Sequence, residues 1–159
     1  MPWAEHVHGD LNCRNIFYAK EDTAILLIDF PNVRPAPLAT DFVKAESELV
    51  AVMMDRASGE DCEYCRLDEW KRLTDALSRG LSPTFSDLND KELERIAIPI
   101  EIIRKTYGDK AATVGGDYQE AYRLALVARL LPYLGYPDVT AAKKLLLLAW
   151  IGQLVGTTW

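Results

Sequence analysis

His6–Phe17 reads HVHGDLNCRNIF, which packs two histidines, an aspartate, two asparagines and an arginine into twelve residues. One reading of this density is local: Asp10, Asn12 and Asn15 are turn residues that bond their own backbone. The flanking sequence favours a chemical reading. Asn15–Ala19 (NIFYA) is rich in β-formers, and Ala24–Phe30 (AILLIDF) is a continuous apolar run. The polar segment Lys20–Thr23 between them predicts a hairpin loop. Such a hairpin folds Asp29 back beside Asn15. An aspartate facing an asparagine offers oxygen ligands suited to a hard cation such as Mg2+ rather than to zinc. Asp10, in the preceding loop, can then accept a proton from an attacking hydroxyl or hold that hydroxyl in line. A metal, a base and a loop-plus-hairpin geometry together describe phosphoryl transfer.

Beyond the hairpin, Pro31–Thr40 (PNVRPAPLAT) carries three prolines in ten residues and predicts irregular chain. The sequence then turns helical. Thr40 or Asp41 is positioned to cap a helix that runs to about Arg56, with Phe42, Ala45, Leu49, Val52 and Met53 at helical spacing. Gly59–Cys65 is a polar break. Further helices are predicted over Leu67–Ser78, Lys91–Tyr107, Tyr118–Leu134 and Thr140–Val155, with Pro99 a threat to the third. The segments SPTFSDLND and GDKAATVGGD read as loops. The expected fold class is α+β and mostly α-helical, with a small β-hairpin beside the catalytic loop. It forms one domain over residues 1–159, in which residues 1–40 carry the site and residues 41–159 are helical.

Composition narrows the function classes. The net charge is −6, and no basic patch is present to neutralise phosphates along a duplex, so nucleic acid is not an expected partner. Three cysteines give no disulfide framework and suggest a reducing compartment. The start of the chain lacks a basic and an apolar region of the kind that directs secretion. Leu145–Val155 (LLLLAWIGQLV) is the most apolar run, too short to span a bilayer and better read as a buried helix. The expected location is cytoplasmic, without a membrane.

His8-Gly9-Asp10-Leu11-Asn12-Cys13-Arg14-Asn15 resembles the catalytic loop of the protein-kinase-like superfamily, whose protein-kinase form is H-R-D-x-x-x-x-N. With glycine after the histidine, HGDL is more similar to the aminoglycoside phosphotransferase and choline kinase branch. LLIDF (Leu26–Phe30) resembles that branch's metal-binding strand end, and TDFVKAESEL the helix start that follows. The combination is most similar to a bacterial phosphotransferase-like module, the ternary-complex-associated domain, which is associated with conflict-system proteins. The resemblance implies that Asp10 is the catalytic aspartate and that Asn15 and Asp29 hold Mg2+ on the phosphates of ATP. It also implies that His8 packs near Asp29 as a structural member of the loop, and that Asp41 braces the loop through backbone hydrogen bonds. Arg14 is a candidate phosphate contact.

In the superfamily a smaller, sheet-rich lobe precedes this loop and carries a glycine-rich phosphate cover and a strand lysine. Only seven residues precede His8 here, so the resemblance covers the C-terminal lobe, and the N-terminal lobe is expected to be absent from this chain. The expected function is the C-terminal lobe of an ATP- and Mg2+-dependent kinase of a small-molecule hydroxyl, inactive alone. Its partners are a nucleotide and an acceptor once completed by an N-terminal lobe. The alternative is a non-catalytic, pseudokinase-like interaction module of a larger bacterial conflict or signalling protein. Apolar surface left uncovered by the missing lobe also suggests a homo-oligomer.

Other features have plainer readings. Cys62-Glu63-Tyr64-Cys65 supplies two thiols where structural zinc usually takes four ligands, and no βαβ context supports a redox role. His6 and His8 form an H-x-H pair, but the catalytic loop already accounts for one of them. Trp70, Tyr107, Tyr118, Tyr122, Tyr133, Tyr136 and Trp150 read as helix-packing core, with the alternative that some of them line an acceptor pocket. Glu46, Glu48 and Asp55 read as the solvated face of the first helix, with Glu46 near enough to approach the catalytic region.

Overall fold

The computed structural model describes residues 2–19, 24–57, 64–81, 91–115 and 117–156. Among these residues, four short strands lead into five helices: β1 (Trp3–Val7), β2 (Ile16–Ala19), β3 (Ala24–Leu27), β4 (Arg34–Pro37), α1 (Ala39–Ala57), α2 (Tyr64–Leu77), α3 (Lys91–Ala112), α4 (Tyr118–Leu130) and α5 (Ala141–Gly156). The fold class is α+β, as expected. The strands form two separate antiparallel ribbons. β2 pairs β3 in the hairpin, with Ile16 opposite Leu27 and Ala19 opposite Ala24. β1 pairs β4, with Trp3 opposite Pro37 and Val7 opposite Arg34, across an irregularity between Ala4 and Val7.

The second ribbon corrects the expectation of irregular chain over Pro31–Thr40. Arg34–Pro37 is a strand despite Pro35 and Pro37. In a two-stranded ribbon both strands are edges, where a residue without an N–H costs no ladder bond if it faces outward. Leu38 N–H extends the contact by donating to the Pro2 carbonyl at 2.9 Å. The other boundaries shift modestly. α3 runs through Pro99 to Ala112, absorbing residues read as a loop. α4 stops at Leu130 and continues as a 3-10 turn over Leu131–Gly135, where Pro132 sits in the first turn. The SPTFSDLND loop and Cys62 of the CxxC pair lie outside the described residues.

The core is helical. Val43 and Val50 of α1 pack with Leu73 and Leu77 of α2, Ile100 and Tyr107 of α3, Tyr122 and Leu126 of α4, and Leu147, Trp150 and Leu154 of α5. Trp70 and Trp150 meet edge-on at 6.4 Å between ring centroids, and Tyr107 and Tyr122 lie at 4.7 Å. Tyr136, by contrast, is exposed. The most apolar run buries only one stripe: Leu147, Trp150, Ile151 and Leu154 are inside, while Leu145, Leu148 and Val155 face out. Among the described residues no helix is long and apolar enough to cross a membrane.

Glu46 overturns its reading as a surface residue. It and Arg104 of α3 are both fully buried. Arg104 Nε donates to Glu46 Oε2 at 3.0 Å and Nη2 to Oε1 at 2.7 Å, the two-pronged geometry that suits a planar guanidinium. Arg104 Nη1 donates to the carbonyls of Leu77 and Gly80 past the end of α2. The Tyr122 hydroxyl donates to Glu46 Oε2 at 2.6 Å. One cation therefore ties α1, α2 and α3 together, and its partner carboxylate adds α4. Burial opposes the charge on Arg104, but Glu46 beside it outweighs burial and holds the guanidinium pKa above its ordinary value. Burial, with Glu46 adding to it, pushes the Tyr122 phenol well up, and burial pushes Tyr107 up to about 12. Both phenols stay protonated donors across the physiological range.

A buried pair is most costly when one half is removed, because the other charge is left without a partner. Arg104→Met is expected to destabilise the protein by about 3–5 kcal/mol in urea denaturation. The double variant Glu46→Met with Arg104→Met is expected to recover more than half of that loss. A single-variant cost below about 1 kcal/mol would remove the pair from its organising role.

Candidate active-site loop

Residues 8–15 follow β1 and precede the hairpin, and their path is fixed by one carboxylate. Asp41 sits in the first turn of α1. Its Oδ2 accepts the backbone N–H of His8 at 2.6 Å, and its Oδ1 accepts that of Gly9 at 2.8 Å. The expected brace is therefore present in the geometry, and Asp41 spends its side chain on the loop rather than on capping its own helix. The Thr40 hydroxyl donates to the Pro37 carbonyl at 2.7 Å.

Gly9 is required by two independent facts. Its φ is +80°, in the region where a side chain is strained. A Cβ there would also stand 2.7 Å from the Asn32 carbonyl oxygen, closer than atoms can approach. The loop thus passes tightly beneath the chain that links Phe30 to β4. His8 is buried and tethers the same region from below: its Nε2 bonds the Ile28 carbonyl at 2.8 Å, and its ring lies 4.8 Å from that of Phe30.

Asn15 is buried at the end of a 3-10 turn, Cys13–Asn15, that Asn12 caps by accepting the Arg14 N–H. Its amide nitrogen donates to the Asp10 carbonyl at 2.9 Å, closing the loop on itself. Its backbone carbonyl accepts the N–H of Ile28 at 3.0 Å, one residue before Asp29. The hairpin therefore sets Ile28, the residue before Asp29, against Asn15 just beyond its paired strands. Asp29 is exposed and has φ +62°, a left-handed backbone that is uncommon outside glycine and concentrated at functional sites. Asp10 is part-exposed, and its Oδ1 lies 3.3 Å from the Lys44 ammonium, which also meets Glu48 at 2.9 Å. Arg14 is exposed on the rim of the loop.

Lys44 is the site residue that sequence reading missed. Its signal was its phase: three residues after Asp41 on a helix, it shares Asp41's face. His6 is exposed on β1 whereas His8 is buried, so the H-x-H pair does not converge. Among the described residues there is no group of three or more histidine, cysteine, aspartate or glutamate side chains able to hold a metal. A cation at Asn15 and Asp29 would take its remaining ligands from water and phosphate, as Mg2+ commonly does. Comparison with known protein families, curated proteins and solved structures finds no match for this chain.

Two substitutions test the loop. Asp41→Ala leaves two backbone donors without their charged acceptor and is expected to cost about 2–4 kcal/mol, with faster amide exchange at His8 and Gly9; unchanged exchange there would refute the brace. Gly9→Ala is expected to cost about 2–3 kcal/mol, against about 1 kcal/mol for Gly115→Ala. Gly115 shares the positive φ, at +81°, but has open space around it. Equal losses in thermal denaturation would show that the contact with Asn32 is immaterial.

Proposed function

We propose that this chain forms the acceptor-side half of a phosphotransferase, moving a phosphoryl group from a Mg2+-bound nucleotide to the hydroxyl of a small molecule. The observation that carries the reading is the double hold of Asp41 on the His8 and Gly9 amides, joined to the Asn15 bond to the Asp10 carbonyl. These bonds fix the backbone on both sides of Asp10 while leaving its carboxylate part-exposed. A positioned carboxylate in reach of solvent is what orienting or deprotonating a hydroxyl needs.

The roles follow from the chemistry of each group. Asp10 accepts the acceptor hydroxyl's proton or holds it in line. Lys44 fixes one oxygen of that carboxylate. Asn15 and Asp29 supply oxygen ligands, and Asp29 stands exposed just past the end of β3 on a left-handed backbone. Mg2+, when bound, neutralises charge on the phosphates. His8 and Asp41 position the loop and touch no reactant. Arg14 stands on the exposed rim, where a phosphate can reach it.

A second reading has its own support. Ile16, Phe17, Ile25, Leu26 and Leu27 are all exposed, with Ile25 at 69%. A continuous apolar hairpin normally lies between two covered faces. In the enzyme reading a sheet-rich lobe covers it and completes the nucleotide site. In the alternative, a non-catalytic module uses the same surface to bind a partner protein or a second copy of itself. Catalysis without the covering lobe is expected to be negligible, because positioning and charge stabilisation of the phosphates dominate this chemistry.

Metal placement separates the two readings without turnover. Mn2+ with ATP is expected to broaden the NMR amide signals of Asp10, Asn15 and Asp29 selectively, and Asp29→Ala is expected to abolish the effect. Broadening that is uniform, absent, or unchanged in the variant would sink the phosphotransferase reading.

A further inference from the structure

Beside the loop lies a cavity of about 380 Å³, lined by Gly9, Pro37, Val43, Lys44, Ala125 and Arg129, among others. Its size falls in the range of small-molecule sites. One wall is the loop itself, one residue before Asp10; the other is α4. Most of the lining is apolar, and two cations interrupt it. Lys44 is occupied by Asp10 and Glu48. Arg129 differs. It is half-buried, it lies 5.9 Å over the Tyr133 ring, and its Nε is buried with no hydrogen-bond partner among the described residues. Tyr133 in turn bonds Glu48 at 3.3 Å, so a continuous chain of contacts runs from Asp10 through Lys44, Glu48 and Tyr133 to Arg129.

A buried donor without an acceptor is costly. Guanidinium groups match carboxylate and phosphate in a planar, two-pronged fit. The geometry points to Arg129 as the anion anchor of an acceptor pocket, so that the small molecule carries a carboxylate or phosphate besides its hydroxyl. This rests on the phosphotransfer reading for the hydroxyl; the anion site stands on the cavity alone. The apolar walls formed by Pro37, Val43 and Ala125 lower the polarity on one side of the charge pair.

The test is calorimetric titration of the full chain, without magnesium or nucleotide, using glycerol 3-phosphate, glycerate and glycerol as probes. Binding of at least one of the two anions and none of glycerol is expected. Arg129→Gln is expected to weaken that binding by about tenfold or more, as for loss of a charge-assisted contact, while Arg129→Lys, which keeps the charge but not the two-pronged fit, is expected to fall between the native protein and Arg129→Gln. Ala128→Phe, on the exposed rim of the cavity, is expected to block binding without disturbing the core. Binding of glycerol as tight as that of the anions, no binding of either anion, or anion binding that survives either Arg129→Gln or Ala128→Phe would overturn the assignment. Because neither metal nor nucleotide is present, this result and the Mn2+ result can fail independently.

Discussion

The buried pair of Glu46 and Arg104 is the constraint from which the rest of the arrangement follows. A bare charge in a helical core is intolerable, so each partner fixes the other's helix in position and in rotation. Glu46 lies five residues after Asp41 on α1. Once Glu46 is locked to α3 and α4, the rotation of α1 is set, and with it the direction in which Asp41 and Lys44 leave the helix. Asp41 then reaches the His8 and Gly9 amides, and Lys44 reaches Asp10. The path from core to candidate site is therefore a single helix. Its interior end is held by desolvated charge and its outer end holds a loop by charge.

This division of labour explains why so much of the site, and so little of what orients it, was legible in the sequence. The HGDxxxxN spacing and the following hairpin are local, and local geometry is written in nearby residues: a polar tetrapeptide between two β-rich runs predicts the hairpin, and Asn12 and Asn15 bond nearby backbone, as the local reading of that loop expects. Asp41 was legible through family resemblance. Glu46 was misread because a glutamate on an amphipathic helix is usually solvated, and its partner lies fifty-eight positions away. Nothing near Glu46 in sequence announces Arg104. β1 and β4 escaped for a similar reason, since their pairing joins the two ends of a segment whose prolines argue against a strand. Arg129 gave no periodic signal: its significance comes from what α4 packs beside.

The two ends of the site differ in how firmly they are held. On the Asp10 side the backbone is fixed by Asp41, by the Asn15 amide and by the burial of His8. On the Asp29 side it depends on a two-stranded ribbon whose apolar residues are exposed, and such ribbons are marginal unless something packs on them. Asp29 also holds a left-handed backbone, a conformation that persists only where surrounding contacts demand it. In this chain those contacts are the Ile28 N–H to Asn15 and the Ile28 carbonyl to His8.

That asymmetry has a mechanistic reading. If the acceptor is gripped between Asp10 and the cavity at Arg129, its half of the site is built into the helical core and is preformed. On the proposed reading, a metal half at Asn15 and Asp29 would be only as ordered as the hairpin, so whatever covers Phe17, Ile25 and Leu26 would also set the geometry of those ligands. Covering the apolar ribbon and completing the phosphate site would then be one event: the same contact that buries the hairpin stabilises the strained turn at Asp29. On the proposed reading, an acceptor half that is always formed and a metal half that binds weakly until docking sharpens it would keep phosphoryl transfer conditional on the partner, because near-attack geometry requires both halves within a fraction of an ångström.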